Sequence, residues 1–146
     1  MKKIPTIKSV MTAFPYWVEI TESLEVTKNR MLEHDISHLP VKEKGELVGV
    51  VSVHDIEKVD HILGEDGKAD LSQITVNEVC VLKPYMVDLN EPLDNVLVHM
   101  ANFHIGSVIV LKNNRLAGVF TKHDACRHFA ELLRYQFRVD AGNDIA

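Results

Sequence analysis

The chain has 146 residues, of which 46% are hydrophobic and 25% charged, and its net charge at pH 7 is −5. A chain of this size and composition can form a globular core without a metal or a disulfide, and its acidic balance argues against nonspecific nucleic-acid binding. No apolar run reaches the roughly 18 residues of a membrane span, and the N-terminus lacks the apolar stretch of a secretory signal. Cys80 and Cys126 lie outside any C-x-x-C spacing, so we expect a cytoplasmic protein that does not associate with membranes.

The sequence contains one unit written twice. A shift of 69 residues, which brings Asp55 onto Asp124, lays residues 10–55 over residues 79–124 without a gap. The agreement is closest at the end of each copy, where Gly49-Val50-Val51-Ser52-Val53-His54-Asp55 corresponds to Gly118-Val119-Phe120-Thr121-Lys122-His123-Asp124. Two copies in register are hard to reach by chance, so we expect the function of the unit to lie at this repeated end.

In chain order, each copy begins with a short strand and an amphipathic helix. The strands are predicted at residues 16–20 and 85–89. The helices follow from apolar residues at helical spacing over residues 24–32 and 93–101, and Thr21 and Asn90 are their candidate N-caps.

Each helix is followed by two apolar, β-branched runs that predict a β-hairpin. The turn residues between the runs are Lys44-Gly45 in the first copy and Asn113-Asn114 in the second. A second helix then begins at Ser52 or at Thr121, so the order β-α-β-β-α occurs twice.

The predicted fold class is α+β, with tandem β-α-β-β-α repeats whose sheets pack together about a pseudo-twofold axis. The first repeat occupies residues 1–63, a polar linker residues 64–74 and the second repeat residues 75–138, and residues 139–146 form a tail that frays. The last helix carries an apolar face that we expect to be core first, or a dimer interface where exposed: Phe129, Leu132, Leu133 and Phe137.

The repeated end places a hydroxyl and a carboxylate three residues apart where a strand turns into a helix. Ser52 and Asp55 form the pair in one copy, and Thr121 and Asp124 form it in the other. One interpretation is a capping box, in which the hydroxyl and the carboxylate satisfy backbone N–H groups. The other is a nucleotide site, in which free N–H groups and the hydroxyl bind phosphate and the carboxylate accepts from both ribose hydroxyls. Spacing alone favours capping and leaves both interpretations open.

The residues around the motif resemble a known family. Each hydroxyl–carboxylate pair follows Leu-x-Gly and two apolar residues, and an earlier run leads into it, at residues 35–41 and 104–110. This arrangement is similar to the cystathionine-β-synthase (CBS) domain pair, known as the Bateman module, and the resemblance covers nearly the whole chain. Two departures are the family's Gly, replaced by Asp35 and His104, and its Pro, replaced by Ile109 in the second copy.

The resemblance implies a regulatory module that binds adenosyl compounds such as AMP, ADP, ATP or S-adenosylmethionine in two clefts. Asp55 and Asp124 would hold ribose hydroxyls, while Ser52 and Thr121 would meet phosphate. Lys122, where the first copy has Val53, adds charge and makes the second site the preferred one for a phosphorylated ligand. The other residues implied for the nucleotide sites are Ile36, His38, Pro40, His54, Ile105, Ser107 and Ile109.

On this basis we expect a stand-alone module that is not an enzyme and needs no cofactor. It would form a homodimer through its helices and regulate an unidentified protein in trans. Two alternatives stay open. One is a structural oligomerisation module with empty clefts, and the other, less favoured, is a metal-dependent phosphohydrolase that uses the pairs His54-Asp55 and His123-Asp124.

Overall fold

The computed structural model describes residues 2–63 and 70–143. It contains four helices, α1 Leu24–His34, α2 Val53–Leu63, α3 Leu93–Phe103 and α4 Lys122–Asn143. The strands are β1 Thr12–Ala13, β2 Val18–Glu19, β3 His38–Glu43, β4 Glu46–Ser52, β5 Val81–Leu82, β6 Met86–Asp88, β7 Ser107–Lys112 and β8 Arg115–Thr121. Short 3-10 turns occupy Ile7–Ser9 and Val76–Glu78. The predicted α+β class and the tandem β-α-β-β-α order are confirmed.

The strands form two four-stranded sheets, with the orders β2-β3-β4-β5 and β1-β8-β7-β6. Each predicted hairpin is present, and each turn has the two positive φ angles of a tight hairpin: Lys44 51° and Gly45 82°, Asn113 52° and Asn114 62°. The first strand of each unit pairs in parallel with the hairpin, β2 with β3 and β6 with β7. The sheets meet through an apolar cluster centred on Val50, Ile109 and Val119.

The repeats exchange their outermost strands, which the sequence did not predict. Strand β1 precedes the first unit but pairs with β8 of the second, and β5 precedes the second unit but pairs with β4 of the first. The glycine of the repeated motif explains how the strands fit. A Cβ on Gly49 would lie 2.6 Å from the carbonyl oxygen of Val81, and one on Gly118 would lie 2.9 Å from that of Thr12. These glycines therefore admit the exchanged backbone.

The exchange extends into the two helical cores. Ile7, from the first 3-10 turn, is fully buried in the core of the second repeat with Phe120. Val76, at the equivalent place 69 residues on, is buried in the core of the first repeat with Leu39. Each core is therefore completed by the segment that precedes the other unit.

The predicted N-caps Thr21 and Asn90 are wrong, because both lie in turns ahead of the helices. Helix α1 is capped instead by Ser23, whose Oγ accepts the N–H of Val26 at 3.2 Å, and Pro92 precedes α3. The first helical N–H groups donate to backbone carbonyls of distant segments, from Leu24 to Ile74 and from Leu93 to Pro5.

Helix α4 differs from the prediction in length and in burial. It continues to Asn143, past the expected end at residue 138, so residues 139–143 are helical rather than frayed, whereas residues 144–146 lie outside the described part. Its 22 residues span about 33 Å, longer than the roughly 23 Å of the seven-residue strand β8. The apolar face is therefore not core, with Phe129 61%, Leu132 55%, Leu133 39% and Phe137 62% exposed.

The predicted linker, residues 64–74, falls largely on residues 64–69, which lie outside the described residues. From residue 70 onward the chain is packed, since Leu71 and Ile74 lie against the first core. Within residues 2–63 and 70–143, no helix is both long and apolar enough to cross a bilayer.

Candidate functional site

The site is built on two equivalent junctions where a hairpin strand runs directly into a helix. Strand β4 ends at Ser52 and α2 begins at the next residue, while β8 ends at Thr121 and α4 begins at the next. In the first junction the Ser52 N–H donates to Asp55 Oδ2 at 2.9 Å and the Asp55 N–H donates to Ser52 Oγ at 3.1 Å. The second junction repeats these bonds at 2.9 and 3.2 Å, and the Thr121 hydroxyl also donates to Asp124 Oδ2 at 3.0 Å. Both pairs thus form reciprocal capping boxes.

The boxes leave part of each carboxylate for a ligand. All their bonds use Oδ2, so Oδ1 of Asp55 and of Asp124 lies outside the box. Both aspartates are half-buried, and Oδ1 of Asp124 has the Arg127 guanidinium 3.9 Å away. Capping and ligand binding are therefore compatible, because a carboxylate has acceptor capacity for several donors.

The junctions offer fewer free backbone N–H groups than a bare helix start. The N–H of Val53 donates to the Ser37 carbonyl at 2.9 Å, and that of Lys122 donates to the Gly106 carbonyl at 3.0 Å. The N–H groups of Asp55 and Asp124 are used in the capping boxes. The N–H groups of His54 and His123 take part in none of these bonds. Each junction therefore offers fewer free N–H groups than expected, and the binding of an anion there would depend mainly on side chains.

His38 brings the two junctions together. Its ring lies close to the second repeat, because a Cβ on Gly106 would be 3.9 Å from His38 Nε2 and 3.8 Å from Lys122 Cε. Its Nδ1 lies 3.0 Å from the Ser37 hydroxyl. Burial lowers the pKa of His38 from its usual value of 6.5, Asp55 and Asp124 act to raise it, and the Lys122 ammonium acts to lower it. We call His38, Asp55, Lys122 and Asp124 the central polar cluster.

The remaining predicted residues lie around this cluster at different depths. Ile36 and Ile105 are half-buried and pack against the first and second cores. Ile109 is fully buried between the sheets, Pro40 is buried on β3 and Ser107 is 8% exposed. The side chain of His54 is exposed. Their contacts with a ligand stay predictions.

Sequence reasoning missed Ser37 and Gly106, which hold the helix starts through their carbonyls and flank His38. These two residues are themselves equivalent under the shift of 69 residues. Because their types differ, residue identity did not single them out, although their matching positions ahead of the hairpins did carry a signal.

Metal binding finds no support in the described residues. Across residues 2–63 and 70–143, no group of three or more His, Cys, Asp or Glu side chains is placed to hold a metal ion. The His-Asp pairs of the phosphohydrolase alternative therefore lack the further ligands in this part of the chain.

The fold and the site define a tandem module of two CBS units that share their sheets. The model of the CBS domain family matches residues 7–61 and 76–131, and the chain belongs to this family.

Among relatives, hypoxic response protein 1 of Mycobacterium tuberculosis is 30% identical over 133 residues, which cover 90% of either protein. The L-aspartate semialdehyde sulfurtransferase of Methanocaldococcus jannaschii is 28% identical over 128 residues, which are 86% of this chain. The matching part makes up 23% of the sulfurtransferase, so this chain corresponds to less than a quarter of that enzyme.

Two solved structures are similar to this chain over most of its length. The CBS domain pair of protein MJ0100, in complex with 5′-methylthioadenosine and S-adenosyl-L-methionine, is 26% identical with a TM-score of 0.73 over 88% of this chain and 98% of that one. Hypoxic response protein I, with two coordinated zinc ions, is 28% identical with a TM-score of 0.70 over 85% of this chain and 98% of that one.

Proposed function

We propose that this protein is a CBS-pair regulatory module that binds an adenine nucleotide or another adenosyl ligand between its repeats and regulates a partner protein in trans. It acts in the cytoplasm and carries out no catalysis. The observation that carries the proposal is the convergence of two hydroxyl–carboxylate boxes, one from each repeat, on His38 and Lys122 at the interface between the repeats.

The chemistry of the cluster suits a ribose joined to an anion. A carboxylate oxygen outside each box can accept ribose hydroxyls, and the Lys122 ammonium supplies a positive charge for a phosphate or carboxylate. Lys122 belongs to the second repeat but lies beside His38 of the first, so an anion there would contact both repeats. The first repeat has the uncharged Val53 at the position equivalent to Lys122. We therefore expect one preferred site for a phosphorylated ligand.

The comparison with MJ0100 supports the ligand class. That CBS pair holds 5′-methylthioadenosine and S-adenosyl-L-methionine at 26% identity to this chain, and we extend adenosyl binding to this protein on that basis.

A thermal-shift series tests the ligand. AMP, ADP, ATP and S-adenosylmethionine would each be added to the purified protein, and a ligand at a hundred times its Kd should stabilise the fold by about 2.7 kcal/mol, or roughly 5–10 °C in Tm. The absence of any shift would favour the structural module with empty clefts. Nucleotide turnover that a chelator abolishes would instead favour the phosphohydrolase.

The variants must separate ligand binding from helix capping. Asp55→Asn and Asp124→Asn keep an oxygen for the box but lose the charge and the second acceptor, so we expect a lost ligand shift with little change in Tm of the free protein. Asp124→Ala also removes the cap and should lower stability by about 1 kcal/mol. Glu78→Ala is the matched control, because it breaks a capping box at the Val76–Glu78 turn, outside the cluster, and should leave the ligand shift intact.

We further propose that the module is a homodimer joined through its helices. The exposed apolar face of α4, from Phe129 to Phe137, is larger than isolated surface residues explain, and a second copy would cover it. Light scattering should give about 33 kDa, twice the 16.5 kDa of one chain. Leu133→Glu should return the monomer mass, whereas Glu131→Lys, on the same helix, should not. A monomer mass for the unmodified protein would overturn the dimer and leave the ligand proposal standing.

A further inference from the structure

A cavity of about 580 Å³ lies outside the central polar cluster. Sites for small molecules in proteins commonly have volumes of about 300–1,000 Å³. The cavity lies between the turn of the first hairpin and the crossover that carries the chain from β5 to β6, and we call it the crossover cavity. The lining residues that matter here are Glu43, Leu47, Leu82, Lys83, Pro84 and Met86.

The crossover cavity is distinct from the predicted nucleotide clefts. The ends of the crossover are tied by backbone hydrogen bonds, from the Lys83 N–H to the Val48 carbonyl at 3.4 Å and from the Ile109 N–H to the Tyr85 carbonyl at 2.9 Å. Along β4, Leu47 of the cavity and Ser52 of the capping box are five residues apart, or about 16 Å of extended strand. None of the residues proposed for nucleotide binding lines the cavity.

The cavity combines two opposite charges with an apolar wall. Glu43 and Lys83 are both exposed. In the part of the chain that the structure describes, neither has an ion-pair partner within 4.0 Å. Leu82 and Met86, exposed by 57% and 43%, supply apolar surface beside them. The arrangement thus presents a cation, an anion and an apolar wall in one concave place.

The fold itself does not require this combination, because the equivalent place in the other half of the molecule lacks it. Under the shift of 69 residues, Lys83 corresponds to Phe14 and Met86 to Trp17. Glu43 corresponds to Lys112. A feature needed for packing two equivalent units would recur in both, so the pair of opposite charges is particular to the crossover cavity.

We propose that the crossover cavity binds a free α-amino acid with a large apolar side chain. The Lys83 ammonium meets the α-carboxylate and the Glu43 carboxylate meets the α-ammonium, because these are the oppositely charged ends that the cavity offers. The side chain of the amino acid packs against Leu47, Leu82 and Met86, where it removes apolar surface from water. This site goes beyond the proposed nucleotide function and does not depend on it.

The experiment is a titration of isotope-labelled, full-length protein with L-leucine, L-methionine and L-phenylalanine at millimolar concentrations, followed by NMR. Amide signals of Leu47, Leu82 and Met86 should shift in a saturable way. Two analogues of L-leucine isolate the charges: 3-methylbutylamine lacks the carboxylate and 4-methylpentanoate lacks the amine. Each should bind at least about tenfold more weakly than L-leucine, since each forfeits one charged contact.

Variants on the protein side must match those analogues. Lys83→Met and Glu43→Gln should each weaken L-leucine by about tenfold or more, while Lys44→Met, at the neighbouring turn position outside the lining, should not. Equal binding of L-leucine and its analogues, unchanged binding in both variants, or no saturable shift at these amides would overturn the proposal. Because Lys83→Met and Glu43→Gln leave the central polar cluster intact, their response to AMP reports separately on the nucleotide function.

Discussion

Two residues that depart from the family pattern have a conformational meaning. Asp35 and His104, which stand where the family has Gly, end α1 and α3 in the left-handed region with φ of 52° and 55°. The Asp35 N–H bonds back to the Leu32 and Met31 carbonyls, as in a helix C-cap. Gly is preferred at such a position because it lacks the Cβ that makes a positive φ costly. The family's Gly is therefore explained here by helix termination.

This leads to a stability prediction at those caps. Asp35→Gly and His104→Gly should each raise the free energy of unfolding by about 0.5–1 kcal/mol, since they relieve the left-handed conformation. Glu33→Gly, inside α1, is the control and should lower it by about 1 kcal/mol. Urea denaturation of the three variants measures the effect, and destabilisation by all three would contradict the conformational explanation.

The half-buried position of His38 predicts a dependence of stability on pH. Burial lowers the pKa of His38 in the folded state below its usual value of 6.5. Between the folded and the unfolded pKa, the unfolded chain binds more protons, so stability rises with pH in that window and falls as the pH drops below 6.5. His38→Gln should flatten this part of the profile, and His123→Gln, at an exposed position, should preserve it. Measurement of Tm in steps from pH 7.5 down to pH 5.5 tests this prediction. An unchanged slope in His38→Gln would mean that the pH dependence comes from another group.

At the scale of elements, local chemistry made the hairpins and the second helices predictable. Turn residues and β-branched runs specify a hairpin within a few positions, and a hydroxyl–carboxylate pair marks a helix start. The exchanged strands β1 and β5 were not predictable in this way, because two-residue strands carry no alternation and their partners are distant in sequence. The N-cap predictions were wrong for a related reason, since the N–H groups of Leu24 and Leu93 at the helix starts donate to backbone carbonyls of other segments.

The site was predictable to a similar extent. The repeat identified Asp55 and Asp124, but sequence spacing contained no information on which repeat His38 would face. That His38 lies beside Gly106 and Lys122 follows from the packing of one sheet on the other. The crossover cavity likewise depends on four segments that meet only in the fold, at residues 20–21, 43–48, 75–77 and 82–86.

The strand exchange makes a prediction about the repeated glycines. In Gly118→Ala the new methyl group would meet the side chain of Met11 and the Thr12 carbonyl, and in Gly49→Ala it would meet the Val81 carbonyl. Because displacing backbone atoms is energetically costly, each variant should lower the free energy of unfolding by about 1–3 kcal/mol. Gly106→Ala is the control, because the nearest atom to its Cβ would be 3.8 Å away. Chemical denaturation that finds all three variants equally stable would show that β1 and β5 do not pack as described.

At the scale of the whole molecule, the two repeats fold as one unit because each completes the other's core. Ile7 and Val76 are equivalent residues, both fully buried, and each lies in the core of the repeat that it does not precede. Loss of either side chain therefore acts on the opposite repeat. Under the proposed function, a ligand that shifted one repeat would also strain contacts in the other.

We expect Ile7→Ala to lower the free energy of unfolding by about 2–5 kcal/mol, and Val76→Ala to lower it somewhat less because fewer atoms are removed. Both variants should unfold in one cooperative transition, seen equally by the Trp17 fluorescence of the first repeat and by circular dichroism of the whole chain. Ile4→Ala, 55% exposed, is the control and should change little. Two separate transitions would mean that the repeats unfold independently. In that case Ile7→Ala would shift only the transition of the second repeat, which leaves Trp17 fluorescence unchanged. A single transition in every variant would instead mean that the two repeats unfold as one cooperative unit.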